Sequence, residues 1–395
     1  MCKYRLMTAL LGAAVIFGTT PAFGQEPVDD GSFFDKLRAK GETIAEHTQL
    51  ADRLSGDIDG WYPRLGGMTR GGGFALGPGY RFHVTDDGIF VDLSAGMSFK
   101  GYQAADAHVR WLQALDNRVE LWTDFRYEHF PQEDFYGMGF DSLAANETSY
   151  SYDSTDLALR GLFKPVPWVR LGTTFGYLRP TLESGTDSRV PSIEQIFTDA
   201  DAPGLIGGSR YLHTTFFADV NRLDIPGNPS SGGFYRVSFG VIDDQNLDAY
   251  DHRRLDTLAT YFVPVSPGRT HVLSARIGTS YVNNEPGQRV PFYVLPYVGG
   301  VDTIRSFNEF RFKDENAIWL GAEYKWRAFE HVSLAGFLDA GKVARDWEHI
   351  DVSGLKKGYG FGFRAHTRRQ TLARLDVGTG GGEGWQIFLK LGPSF

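Results

Sequence analysis

The sequence predicts an all-β chain, a transmembrane antiparallel β-barrel of sixteen strands, and three observations carry that prediction. An export signal opens the chain. Apolar and polar residues then alternate with period two through long segments. The chain closes on an alternating strand that ends in phenylalanine.

The first residues set the compartment. Lys3 and Arg5 form a basic n-region, residues 9–17 an apolar core, and Pro21, Ala22 and Gly24 a breaker with small residues for cleavage, so residues 1–24 read as a signal peptide. The core is too short to cross about 30 Å of hydrocarbon as a helix. Cys2, the only cysteine, lies ahead of that core, so no lipoprotein attachment site is expected. The exported remainder then has no disulfide, thiol nucleophile or cysteine metal site. Residues 25–61 read as a short periplasmic segment in which Phe33, Leu37, Ile44, Ala51 and Leu54 fall loosely at helical spacing. Residues 62–395 are assigned to the barrel.

Composition excludes one class and leaves two. The net charge of −8 becomes −10 without Lys3 and Arg5, which argues against a nucleic-acid partner, since that needs a basic face. Aromatic content of 14%, 48 glycines and 22% charged residues suit either a membrane barrel or a secreted β-sandwich.

Periodicity separates them. Val119, Leu121, Thr123, Phe125 and Tyr127 alternate with Glu120, Trp122, Asp124, Arg126 and Glu128. Ile89, Val91, Leu93, Ala95, Met97 and Phe99 form a second such set, and Val169, Leu171, Thr173, Phe175 and Tyr177 a third. Successive strand side chains point to opposite faces, so each segment has one apolar and one polar face. A sandwich would turn the apolar face inward. Three features turn it outward to lipid: strands of about 10–14 residues, as tilted membrane strands require; aromatics such as Tyr127, Tyr177, Tyr324 and Trp326 near strand ends, where interfacial girdles sit; and the last strand, with Trp385, Ile387, Leu389, Leu391 and Phe395 on one face.

Fifteen strands are readable back from Phe395, near 384–395, 370–378, 356–367, 332–343, 316–327, 269–283, 250–264, 233–243, 209–222, 167–178, 150–164, 118–130, 102–115, 88–99 and 72–83. Short connections at 115–117 and 164–166 alternate with long ones at 131–149, 179–208 and 284–315, as periplasmic turns alternate with external loops. Single-chain bacterial barrels have an even number of strands, so a short strand near 62–70 completes sixteen. Gly66, Gly67, Gly71, Gly72 and Gly73 around it suit a seam with the last strand that opens sideways, or simply a tight turn to the next strand.

No catalytic site, cofactor or metal is expected. His331, His349 and His366 lack ligand spacing, and the sequence holds no nucleophile elbow. Two acids on the lumen face come from adjacent strands. On 318–326 the outward set is Ile318, Leu320, Ala322, Tyr324 and Trp326, leaving Gly321 and Glu323 inside. On 332–341 Val332, Leu334, Gly336, Leu338 and Ala340 face out, and Phe337, Asp339 and Gly341 face in. Glu323 and Asp339 therefore enter the lumen from adjacent strands, where two confined carboxylates repel and call for a cation.

The stretch 299–341 also resembles the bacterial surface antigen family, the superfamily of outer-membrane assembly and two-partner secretion barrels. Ile304-Arg305-Ser306-Phe307 stands for the Val-Arg-Gly-Phe/Tyr motif of that family's sixth external loop, Gly321-Ala322-Glu323 for its Gly-x-Glu, and Phe337-Leu338-Asp339-Ala340-Gly341 for its Phe-x-Asp-x-Gly. Arg374-Leu375-Asp376 and the early 133–139 stretch also fit. The resemblance implies that the loop folds into the lumen and that Arg305 meets Glu323 and Asp339, a pairing suited to a guanidinium fork. It implies Phe395 as a C-terminal assembly signal. It implies a bacterial outer-membrane location and a task in outer-membrane protein assembly or translocation, a passive pore or structural barrel being the alternative. The partners it implies are outer-membrane lipid including lipopolysaccharide, the barrel assembly machinery during biogenesis, and unnamed client proteins, for a monomer. Two departures stand out. Ser306 replaces glycine, so the loop tip is either strained or turned differently. Residues 25–61 are too short for the polypeptide-transport-associated domains of the assembly and secretion members, so the chain reads as a member lacking them.

Overall fold

The structure, a computed structural model, describes residues 59–66, 72–84, 88–350 and 353–391. The expected signal peptide, nearly all of the segment 25–61, Gly67, Gly71 and Phe395 lie outside the described residues.

Sixteen strands form one antiparallel sheet. They are β1 (Gly60–Gly66), β2 (Ala75–His83), β3 (Phe90–Ser98), β4 (Gln103–Ala114), β5 (Val119–Phe135), β6 (Thr148–Val166), β7 (Val169–Ser184), β8 (Tyr211–Asn221), β9 (Gly232–Asp244), β10 (His252–Pro264) and β11 (His271–Asn284). A two-stranded hairpin, β12 (Tyr297–Val298) with β13 (Phe312–Lys313), interrupts the loop that follows. The sheet resumes with β14 (Asn316–Phe329), β15 (Val332–Ala344), β16 (Lys356–His366), β17 (Thr371–Thr379) and β18 (Gln386–Leu391). Each strand pairs with its sheet neighbours in sequence order, β11 passing directly to β14.

The exposure pattern decides between barrel and sandwich. Phe125, Tyr127, Phe175 and Tyr177 are exposed, as are Leu338 at 63% and Ile387 at 69%, whereas Glu120, Asp339 and Asp376 are buried. The apolar faces point outward and the polar faces line the interior. In water such a surface would be far larger than a soluble monomer tolerates. No helix among the described residues is long and apolar enough to cross a membrane; the strands make the crossing.

The structure departs from the sequence reading at the external rim. β5 continues to Phe135 and β7 to Ser184, past the expected ends at 130 and 178, and β6 begins at Thr148 rather than 150. The register slips between Phe130 and Glu133, where Pro131 cannot donate to a ladder. Beyond that slip the strands leave lipid and support a core of Phe135, Tyr150, Ile193, Ala202, Val282, Val290, Phe292 and Leu295. Tyr127 and Tyr177 thus sit within strands rather than at their ends, near one height across β5, β6 and β7 through Tyr127↔Thr155 and Leu157↔Tyr177.

β1 and β18 end the sheet and meet at a seam, with no ladder between them among the described residues. β1 pairs with β2 from Gly60↔Arg81 to Gly66↔Ala75. Behind the seam a cavity of about 860 Å³ is bounded by Gly66, Gly73, Ile387, Asp302 and Glu309.

Candidate functional site

Strand register builds the site. Arg276 on β11 lies opposite Gly321, which lies opposite Asp339, which lies opposite Gly358. One step along, Ser274, Glu323, Phe337, Gly360 and Gly378 form the next lumen row. Glu323 and Asp339 are therefore diagonal neighbours on adjacent strands. The small residues between them leave room for a loop. A Cβ on Gly378 would lie 1.8 Å from the Arg305 carbonyl oxygen, and one on Gly321 2.5 Å from Arg276 Nε.

The loop between β11 and β14 fills that room. Val298, Ile304, Phe307, Phe312, Ala317 and Val343 make its apolar footing. Ile304 packs beside Gly341, where an added Cβ would stand 3.1 Å from Ile304 Cδ1. Arg305, only 2% exposed, sits at the centre. Its Nε and Nη2 donate to the two carboxylate oxygens of Asp339 at 2.7 and 2.9 Å, its Nη1 donates to Glu323 at 2.7 Å, and its backbone N–H reaches Asp339 at 3.2 Å. The guanidinium also lies 3.5 Å over the centre of the Phe337 ring. Every Arg305 side-chain nitrogen is thus committed, in a fork that only a planar guanidinium can form.

Four further charges complete the cluster. Arg276 Nη2 lies 3.3 Å from Asp339 and donates to the Thr303 carbonyl at 3.1 Å, so it grips both wall and loop. Arg364 bridges Glu323 at 3.1 Å and Asp376 at 2.7 Å, and Arg374 Nε lies 2.5 Å from Asp376. Four arginines against three carboxylates form a buried, nearly balanced network. Such a network tolerates burial only because its charges are mutually paired. Each of its carboxylates is paired with at least two arginines, and Arg305 and Arg276 tie the loop to the wall.

The tip turns differently from the glycine-bearing motif. Ser306 is not among the residues with positive φ; Gly299 (φ 120°), Gly300 (φ 93°) and Phe310 (φ 57°) make the left-handed turns instead. Ser306 is fully buried against Gly358, and its Oγ has no hydrogen-bond partner among the described residues.

A second buried arginine anchors the loop's far side. Arg311 donates to Glu383, between β17 and β18, at 2.7 Å and to Ser142 Oγ and O at 3.0 and 2.8 Å. Asp302 lies 3.8 Å from Lys390 on β18. The sequence reading missed Arg276, Arg364, Arg311 and Glu383. Arg276 and Arg364 do sit on the polar face of alternating strands, which was the available signal, but their heights in the barrel were not.

With this geometry in place the chain can be set beside known proteins. Residues 196–386 match the Omp85 superfamily domain, a span running from the external loop after β7 to the start of β18. That match covers a little under half of the chain. Its fold matches a crystal structure of BamA from Haemophilus ducreyi lacking POTRA domains 1-3, with a TM-score of 0.64 at 13% identity, over 86% of this chain and 71% of that one. It also matches CdiB from Acinetobacter baumannii, with a TM-score of 0.50 at 11% identity, over 84% of this chain and 58% of that one. A comparison with curated proteins finds no match. The protein is a β-barrel of the bacterial outer membrane, and the span that matches the Omp85 superfamily domain contains the loop and the whole charge cluster.

Proposed function

We propose that this barrel works in assembling or translocating polypeptides at the outer membrane, without catalysing a reaction. The observation that supports this most is the Arg305 fork, which holds an external loop inside the lumen against β14 and β15 within an Omp85 domain. A clamped loop narrows any open path through the lumen, which favours this reading over a wide solute pore. A barrel that handles chains needs a wall whose shape is fixed while its seam stays free. Here the loop grips β14, β15 and β17–β18, and β1 remains outside that grip among the described residues. Arg305, Glu323 and Asp339 are assigned to holding the loop, with Ile304, Ser306, Phe307, Gly321, Phe337 and Gly341 as its seat. Outer-membrane lipid, lipopolysaccharide included, covers the apolar belt, and client polypeptides are the partners.

The test is capture in living cells. A photo-reactive residue at Ile387 on the seam, with a lipid-facing control at Leu338, is cross-linked and the products identified. Other barrel proteins or secreted chains enriched at Ile387 over Leu338 are expected. Lipid alone at both positions, together with stable planar-bilayer conductance, would sink the reading in favour of a pore.

A further inference from the structure

The periplasmic rim holds one turn unlike its neighbours. The turns at 84–89, 115–118, 167–168, 265–270, 330–331 and 367–370 have two to six residues, but the β8–β9 turn, 222–231, has ten. It does not hang into solvent. Asp224 braces it from within, accepting the backbone N–H groups of Ile225, Ser230 and Ser231 and the Ser230 hydroxyl, and it takes Arg269 Nη1 of the β10–β11 turn at 2.8 Å. A carboxylate with that many donors fixes one loop conformation.

The braced tip reaches across the opening. Gly227 forms a parallel bridge with Gln370, and Thr371 N–H donates to the Gly227 carbonyl at 2.8 Å. Asn228 Nδ2 donates to the Thr367 carbonyl at 3.2 Å and lies 3.3 Å from His366 Nδ1. From the lumen wall, Lys325 Nζ on β14 donates to Asn228 Oδ1 at 3.0 Å and to the Pro229 carbonyl at 2.9 Å. In sheet order β10, β11, β14 and β15 separate β9 from β16, so the turn spans a chord over that quarter of a sixteen-strand rim. Pro229, within the turn, is buried.

We propose that residues 222–231 are a strap across part of the periplasmic mouth of the barrel, over β10, β11, β14 and β15, and that a chain or solute passing along that side of the lumen must first lift it. It lies at the end opposite the Arg305 loop, so a path along those strands meets two barriers in series. Two features make the strap releasable rather than merely structural. Its contacts to β16–β17 are hydrogen bonds made through Gly227 and Asn228, both only part-buried, and such bonds open locally at modest cost. Its crossing point also depends on Gly227, where an added Cβ would lie 2.3 Å from the Arg369 carbonyl oxygen, so one methyl lifts it.

The test uses the full chain with Cys2→Ser and a single reporter, Ala335→Cys, on the lumen row of Lys325. An anionic methanethiosulfonate probe is applied to the folded protein. Gly227→Ala and Asn228→Ala are each expected to speed labelling about tenfold, the effect of losing one hydrogen bond to a charged group from a local opening equilibrium. Arg118→Ala, in a turn outside the strap, is expected to leave the rate unchanged. A second measurement pairs Asn228→Cys with Thr367→Cys, which should form a disulfide on mild oxidation. Equal labelling rates in folded strap variants, or failure of that disulfide to form, would overturn the proposal. Neither outcome bears on client capture at Ile387.

Discussion

Replacing Arg305 by lysine separates charge from geometry. The cation stays in the lumen, but of three side-chain hydrogen bonds, at 2.7 and 2.9 Å to Asp339 and 2.7 Å to Glu323, an ammonium on a shorter reach keeps about one. Two charge-assisted bonds are lost, each worth about 1.5–3 kcal/mol. Breaking a buried pair outright costs about 3–5 kcal/mol. Arg276 and Arg364 still stand 3.3 and 3.1 Å from the two acids, which holds the loss to the lower end, about 3 kcal/mol. At 1.4 kcal/mol per tenfold, the released loop becomes about a hundredfold more populated. Trypsin reads this directly, because lysine is as good a cleavage site as arginine. The Arg305→Lys protein in lipid vesicles should be cut within 299–313 about a hundredfold faster than the parent, with the barrel intact. Cleavage within about threefold of the parent would refute the claim that the fork, rather than the positive charge, holds the loop.

Three further outcomes follow from the same geometry. Gly378→Ala leaves all seven charges in place but puts a methyl 1.8 Å from the Arg305 carbonyl oxygen, so trypsin should release the loop much as in Arg305→Lys; no change would mean the loop does not rest on β17. Ser306→Ala removes a buried hydroxyl that has no hydrogen-bond partner among the described residues, and should raise the urea midpoint by about 1 kcal/mol of stability, whereas a lower midpoint would show the hydroxyl is paired. Burial opposes ionisation of Asp224, but the hydrogen bonds from Ser230, Ser231 and Ile225 outweigh it and hold the carboxyl well below the usual carboxylate range. Its contribution to the strap is therefore complete above the unfolded value of about 3.9 and is lost only as pH falls through the lower folded value. The carboxyl carbon of Asp224, followed by NMR, should stay ionised below pH about 3.5; a midpoint near 4 contradicts the bracing role.

The barrel was legible because lipid outside and a polar lumen impose alternation on every strand that crosses the bilayer. The sets containing Phe125, Phe175 and Ile387 needed no long-range information to orient. Above the bilayer the constraint ends: Glu133 and Phe135 share one buried face, so that face mixes charged and apolar residues, the hydropathy alternation fails, and the extension of β5 looks like loop in the sequence. The acids Glu323 and Asp339 were readable as lumen residues on neighbouring strands, because face is a local property. Height is not. That Arg276 shares a row with Asp339, or that Arg364 reaches Glu323, depends on register between strands far apart in sequence. The strap was invisible for a related reason. Residues 222–231 carry ordinary turn chemistry, and nothing local says that Gly227 meets Gln370 across the rim.

One measurement reaches the clamp without intermediaries. Solid-state NMR of the protein in lipid, with 15N in arginine side chains and 13C in aspartate carboxyls, reports guanidinium–carboxylate contacts, and subtracting the spectrum of Arg305→Lys isolates those of one residue. A difference signal at direct-contact distance from Asp339 is predicted. Identical dephasing in both proteins would show that Arg305 does not touch Asp339, and the lumen-anchored loop would have to be abandoned.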